Sequence, residues 1–366
     1  MEDIKNFIRE EKNLGEDFLK GLKPGELIIL CGNGYALDWY CRFFACNGVE
    51  PDFIIDKKSH QMRERCGIPV VSYAYIANHM DLEKCKFVVT APSCREEIMH
   101  GIRKEFGNVR IYSFEAEIYC NFIKDIYGYR KFLLTHYEDF CELYELLEDV
   151  RSKETLIHFV KGRVSGDQRY FSEIIDPDPY FPDGVLVLGK KEVIVEVGSY
   201  DGQTLMDIIE RTGGNFEKIY CFEPDRECIP VLEKIVNKSG KQICLIKKGA
   251  GSRRDKLYFK SEPAYGTSRT VSKERYDYMI DVTSIDEELH EKVTYIKMDI
   301  EGMEMDCLRG GVRTIMEYQP KMAVCVYHHM DDIYEIPRYL RQVNPQYKFY
   351  LRHHNWGAAD TVLYAI

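Results

Sequence analysis

Residues 194–204 read "IVEVGSYDGQT", a short apolar strand running into Gly198 and Gly202 with Asp201 between them. In a doubly wound sheet, ligands sit outside the carboxyl ends of the strands, and the first strand-to-helix turn lets backbone approach them closely. Gly198 and Gly202 supply that approach. The next segment, "QTLMDIIERT", sets Leu205, Ile208 and Ile209 on one helical face before Gly213-Gly214 stops it. The glycines therefore occupy a turn between strand and helix.

Further apolar runs follow: "KIYCFEP", "QICLIKKG", "VTYIKMDI", "KMAVCVY", "YKFYLRHH" and "TVLYAI". With "EVIVEV" they make seven strands, the last two read as an antiparallel hairpin at one edge. The N-terminal half repeats the alternation of strand and helix in "ELIILCG", a helix over about 36–47, "DFIID", "IPVVS" and "KFVVT". A Tyr-, Leu- and Glu-rich stretch without glycine from 129 to 161 reads as helical, and "DPDPYFPDG" (176–184), with three prolines, cannot continue a helix. The expected fold is α/β: two Rossmann-like doubly wound sheets in domains 1–115 and 176–366, joined by a helical connector, 116–175.

The chain has 366 residues and a net charge of -10, with no basic run to track a phosphate backbone. Nucleic acid is not an expected partner. Its thirteen cysteines are scattered singly, so neither a zinc ribbon nor a disulfide framework is read, and most are expected to be reduced core residues. With no apolar leader at the N-terminus and no run of about 18 apolar residues, membrane insertion is not expected and a cytoplasmic location is.

Glu223 ends the second strand, 21 residues beyond Gly202, where a carboxylate bonds ribose hydroxyls. An adenosine-bearing cofactor follows. Asp201 would repel a pyrophosphate and better suits a cationic ligand end, such as the amino or sulfonium side of S-adenosylmethionine. Glu196, Tyr200 and Thr204, in the same segment, complete the candidate cofactor set with Gly198, Asp201, Gly202, Glu223, Asp299 and Glu301. The last two belong to "YIKMDIEGMEMDCLRGG" (295–311), where strand alternation would put Lys297, Asp299 and Glu301 on one side. After Gly302 a helix begins, which Gly310-Gly311 is expected to end.

Together, "VEVGSYDGQT", "YCFEPD" and "IKMDIEGMEMDCLRGG" resemble the motifs of the FkbM family of S-adenosylmethionine-dependent methyltransferases, over about 192–366. The resemblance implies a class I seven-strand sheet and methyl transfer to a hydroxyl, often on a sugar or polyketide product. It implies Gly198, Asp201 and Gly202 along the methionine side of the cofactor, Glu223 on its ribose, and Asp299 and Glu301 at the reacting end. The chain departs from the family pattern at Glu196-Val197 and Ser199-Tyr200.

Such a transfer needs a base for the acceptor proton. His328 and His329, at the end of the strand expected beside Asp299, are the candidates; the pair His353-His354 is the second choice. Asp299, His328 and His329 form the expected catalytic group. Two carboxylates and a histidine are also a donor set for Mg²⁺ or another divalent ion, but no metal is assigned from the sequence. Tyr180, Phe181, Tyr200 and Trp356 are candidate aromatic faces, and the loop "SEPAYGTSRT" (261–270) is expected to shape the acceptor pocket.

In the N-terminal half, Gly32 and Gly34 follow a strand and Asp56 lies 22 residues past Gly34, so the nucleotide-binding spacing recurs without a third glycine. Residues 26–114 resemble the Rossmann-like nucleotide-sugar-binding domains attached to sugar-modifying enzymes. The function expected is an O-methyltransferase acting on a sugar, nucleotide sugar or glycan precursor, its partner a small-molecule or glycan acceptor, with a homodimer left open. The alternatives are an NAD(P)-dependent sugar oxidoreductase using the N-terminal sheet, and a non-catalytic nucleotide-binding scaffold.

Overall fold

The apolar runs become the strands of two large sheets in the computed structural model, which describes residues 2–57, 63–117, 125–240, 242–259 and 278–366. The loop 261–270 lies outside the described residues. One unit comprises Met1–Glu138, Glu154–Ile175 and Asn355–Ala359; the other comprises Asp139–Lys153, Asp176–His354 and Asp360–Ile366. Among the described residues of 116–175 the helices are Ile126–Thr135, Tyr137–Leu146, Val150–Ser165 and Arg169–Ser172. Both units draw on this segment.

In the first unit the strands are β1 (Leu27–Cys31), β2 (Phe53–Ile55), β3 (Glu64–Arg65), β4 (Ile68–Val71), β5 (Cys85–Val89) and β6 (Arg110–Tyr112), in the order β3-β4-β2-β1-β5-β6. All pair in parallel except β3 with β4. Alternation splits the strand residues between two cores. Ile28, Leu30 and Val88 pack with Tyr40, Phe43, Phe44 and Phe114, while Ile29, Cys31, Phe87 and Val89 pack with Ile76, Ile102 and Phe106. A sheet covered on both faces has little use for polar residues, hence the unbroken "LIILC".

The second unit holds β7 (Val193–Val197), β8 (Lys218–Phe222), β9 (Ile243–Ile246), β10 (Gly249–Ala250), β11 (Asp255–Phe259), β12 (Tyr278–Thr283), β13 (Tyr295–Met298), β14 (Lys321–Cys325), β15 (Phe349–His353) and β16 (Thr361–Ala365). Seven form one sheet, β15-β16-β14-β13-β7-β8-β9. Only β16 runs opposite to the other six strands, slotted between β14 and β15. The fold expected for this half is the fold observed. The remaining three form a small sheet, β10-β12-β11, that the sequence pattern did not foretell.

The strand order runs outward from β7 through β8 to β9, then restarts at β13 on the other side of β7. Such a reversal opens a crevice at the carboxyl ends of β7 and β13, because the two connections leave in opposite directions. Gly198 sits at its floor with φ 84°, and a Cβ built there would lie 1.9 Å from the carbonyl oxygen of Asp299. Only glycine fits. The helix after Gly302 spans Glu304–Gly310, and a second, Val312–Tyr318, starts at once beyond Gly311, so the glycine pair marks a break and not an end. Among the described residues no helix is long and apolar enough to cross a membrane.

Candidate active site

A cavity of about 400 Å³ opens at the β7/β13 reversal. One part of its wall is Val197, Gly198, Tyr200, Phe222, Glu223 and Pro224, from the ends of β7 and β8. Another is apolar, with Ala250, Leu257, Phe259, Ile280 and Val282 from the small sheet. Asp299, Ile300, Glu301, Met303, Tyr327, His354, Asp360 and Tyr180, with Pro179, Gly249 and Val362, complete it. It is therefore apolar toward the small sheet and acidic toward the end of β13.

Glu223 ties the β7 and β8 turns together. Its Oε2 accepts the amide of Tyr200 at 2.8 Å and its Oε1 the amide of Asp225 at 2.9 Å. Tyr200 adopts a left-handed conformation, φ 46°, that presents its amide to this carboxylate. On the far side, the buried Lys297 donates to the carbonyl of Gly198 at 2.7 Å and lies 4.9 Å from the Tyr180 ring centre. Sequence spacing had placed Lys297, Asp299 and Glu301 on one strand face. That geometry is corrected: β13 ends at Met298, and a left-handed turn at Glu301, φ 56°, sets the position of its carboxylate.

Asp299 Oδ2 accepts the Tyr180 hydroxyl at 2.9 Å, and the Tyr327 hydroxyl stands 3.5 Å from Oδ1. Burial pushes the Asp299 carboxyl up, but Lys297, His328 and the Tyr180 hydroxyl outweigh it and hold it below the ordinary range. It stays ionised. His328 lies beneath Tyr327, its Nδ1 2.9 Å from Glu304 Oε1 and its Nε2 3.6 Å from Asp299 Oδ1 and 3.5 Å from Glu301 Oε2. Burial would lower its pKa, yet Glu304, Asp299 and Glu301 together hold it up at about 10. Desolvation also pushes Glu301 up to about 8, against the pull of His328 and with Asp299 and Glu304 adding to the rise.

An imidazole held as a cation has no lone pair for an incoming proton, so His328 is corrected from general base to positive partner of three carboxylates. His329 is exposed, with Nε2 3.0 Å from the carbonyl of Gly302, and does not line the cavity. His354 does line it. Its Nδ1 lies 2.8 Å from the carbonyl of Asp176, which can only accept, so Nε2 is left to accept from the Tyr364 hydroxyl at 2.9 Å. Burial holds His354 below the ordinary range, and it is neutral.

Of the candidate cofactor residues, Gly198, Tyr200, Glu223, Asp299 and Glu301 line the cavity; Glu196, Asp201, Gly202 and Thr204 do not. Asp201 is exposed and accepts the amide of Gln203, capping the helix Gln203–Arg211. Gly202 is a packing glycine, for a Cβ there would strike Ile235 at 2.4 Å and Leu232 at 3.0 Å. Glu196 is fully buried and accepts the Ser199 hydroxyl. Phe181 is core, packed on Tyr295. In the other unit, Asp56 accepts the amide of Asn33, and neither it nor Gly32 or Gly34 lines the 330 Å³ cavity in which Trp356 stands. The spacing there closes a turn. Sequence reasoning missed Tyr327, Asp360 and Glu304; the acids of "DIEGMEMD" were visible, but nothing in the spacing showed which one turns inward.

Residues 196–349 match the Methyltransferase FkbM domain. In shape, the crystal structure of a methyltransferase FkbM from Methylobacillus flagellatus KT is similar over 99% of this chain and 93% of that one, at a TM-score of 0.73 and 22% identity. Residues 196–349 are thus similar to an FkbM domain, and the likeness in fold extends over the residues of both units. Much looser likenesses are an rRNA methylase from Streptococcus thermophilus (TM-score 0.32, 12% identity, 49% of this chain and 87% of that) and fibrillarin from Aeropyrum pernix with natively bound S-adenosyl-L-methionine (TM-score 0.34, 14%, 50% and 69%). No protein of curated function matches in sequence.

Proposed function

We propose that this protein transfers a methyl group from S-adenosylmethionine to a hydroxyl of a sugar, nucleotide sugar or glycan precursor. The observation that carries this reading is the polarity of one cavity at the strand reversal, with a ribose-type carboxylate, Glu223, at one end and the acids Asp299 and Glu301 at the other. Its 400 Å³ lies within the range of roughly 300–1,000 Å³ usual for small-ligand sites.

The residues fit the donor. Glu223, fixed by two backbone amides, receives the ribose hydroxyls, and Leu257, Phe259, Ile280 and Val282 offer an apolar slot for adenine. Asp299 offers negative charge to a sulfonium, and a cation bound beside Glu301 favours ionisation of that carboxyl, which burial otherwise holds up to about 8. When bound, the donor supplies a methyl group for in-line displacement, a reaction whose catalysis is mostly positioning. Tyr180 and Tyr327 hold Asp299, and Asp299, joined by Glu301 once that carboxyl ionises, is the carboxylate placed to take the acceptor proton. A net charge of -10 suits a neutral acceptor better than a polyanion.

Isothermal titration of the cofactor-stripped protein tests the reading, with S-adenosylmethionine in one cell and NADPH in another. We expect micromolar binding of the first only, about tenfold weaker in Glu223→Gln, a loss of about 1.4 kcal/mol. Transfer of a tritiated methyl group to a panel of nucleotide sugars then identifies the acceptor. Binding of NADPH alone, or of neither, would sink the proposal.

A further inference from the structure

The cluster beneath the acidic end of the cavity has a feature that ion pairing does not account for. His328 is 7% exposed, and its Nε2 makes no hydrogen bond. That nitrogen points between Asp299 Oδ1 at 3.6 Å and Glu301 Oε2 at 3.5 Å. A charge-assisted hydrogen bond would close either gap to about 2.7–2.9 Å. Two neighbouring ligands of an octahedral ion, each about 2.1 Å from it, stand about 3 Å apart, about half an ångström short of the spacings seen. The nitrogen is thus set off from each oxygen by more than a hydrogen bond and by somewhat more than the spacing of two ligands.

The other face of the ring is fixed. Glu304, fully buried, accepts the amides of Ile300 at 2.8 Å and Gly302 at 3.0 Å, so its carboxylate has no freedom to turn, and its Oε1 lies 2.9 Å from Nδ1. With Glu304 beside Nδ1, a divalent ion at Nε2 displaces the Nε2 proton of the imidazolium, and the neutral ring that results keeps its Nδ1 proton on the side of the carboxylate, the arrangement found behind metal-bound histidines. Asp299, Glu304 and His328 also bring one ligand atom each within 4.8 Å of the others. Three carboxylates face one imidazole here, and the nearby Lys297 ammonium is committed to the carbonyl of Gly198.

We propose that His328 Nε2, Asp299 and Glu301 form a divalent-cation site of the Mn²⁺ or Mg²⁺ class in the cavity wall, with Glu304 as the carboxylate that orients the imidazole. Two carboxylates and one imidazole suit Mn²⁺ first, since oxygen-rich sets favour Mg²⁺ and Mn²⁺ and the imidazole adds affinity for the transition ion. Water and, in a loaded site, an acceptor hydroxyl fill the remaining positions. An ion there lowers the pKa of a bound hydroxyl, and each ligating carboxylate keeps a second oxygen for the departing proton. The site rests on side-chain geometry and stands whether or not the donor is S-adenosylmethionine.

The test uses the full chain, stripped with chelator and titrated with MnCl₂ in the absence of any methyl donor, free Mn²⁺ being read by its electron paramagnetic resonance signal. We expect one Mn²⁺ per chain with micromolar affinity, displaced by excess Mg²⁺, and a ¹⁴N coupling in the pulsed spectrum from the coordinated imidazole. His328→Gln abolishes that coupling, and Glu304→Gln weakens binding roughly 10- to 100-fold. The exposed Glu217→Gln leaves both unchanged. No binding at about 1 mM Mn²⁺ overturns the proposal. So does bound Mn²⁺ without nitrogen coupling, which marks adventitious surface acids. Because the coupling is read on wild-type protein, neither outcome depends on whether a variant folds.

Discussion

Lys297 shows how much chemistry one buried side chain can fix in this chain. Its ammonium bonds the carbonyl of Gly198 and keeps Asp299 ionised, so one residue on β13 joins the floor of the crevice to its acidic end. In the other unit, Glu115 is an acid without such support. Burial pushes its carboxyl up to about 7, against the amide of Glu117, Gln168 and Arg163. The unfolded chain loses this proton near 4.5, whereas the folded chain keeps it to about 7, so across that window the folded state binds more protons and stability falls as pH rises. The stabilisation is complete below 4.5 and lost above about 7, an effect of about 3 kcal/mol at 1.36 kcal/mol per pKa unit. Glu115→Gln removes it. The difference in unfolding free energy between wild type and variant, from urea titrations, should change by that amount between about pH 4.5 and 8; a constant difference would show that the group does not titrate on folding.

At the scale of elements, the central strands were legible because each is an unbroken apolar run closed by a glycine or an acid, and "IVEVG" and "YIKMD" are of this kind. The small sheet was not. β11 ("DKLYF") and β12 ("YMIDVT") mix charge with apolar residues because only part of each is buried, with Phe259, Ile280 and Val282 forming one small core. The site was half legible for a similar reason. Spacing located Gly198, Glu223 and Asp299, which follow strands directly, but Glu301 and Glu304 owe their places to a left-handed turn, and Asp201 and Gly202 to helix capping and packing. What spacing could not show is that the β7 turn and the β13 end touch through backbone. Gly198→Ala tests this contact, because its Cβ meets the carbonyl of Asp299 at 1.9 Å with φ already positive. We expect a cost of about 3 kcal/mol or more, or failure to fold. Gly240→Ala, equally left-handed but in open space, should cost only about 1 kcal/mol. Equal costs for the two would mean that backbone strain alone, and not the close approach, makes position 198 a glycine.

For the whole molecule, the question is which of two parallel-stranded units holds the donor. Both present a strand, a glycine turn and a following acid at nucleotide-binding spacing, so sequence alone keeps both open. Their acids differ in what they do: Glu223 lines a cavity that ends in Asp299 and Glu301, whereas Asp56 closes the turn at Asn33 outside any cavity wall described in its unit. A ligand bound only to the folded state slows local opening where it touches, and at about a hundred times its dissociation constant it adds about 2.7 kcal/mol. Hydrogen exchange followed by mass spectrometry, with and without S-adenosylmethionine, should therefore show protection in peptides covering 197–200, 222–225 and 299–303, and none in those covering 32–34 and 56. Protection confined to 32–34 and 56 would move the donor to the first unit and leave the cavity at the β7/β13 reversal to the acceptor. Protection in neither would return the chain to the scaffold reading, whatever its fold resembles.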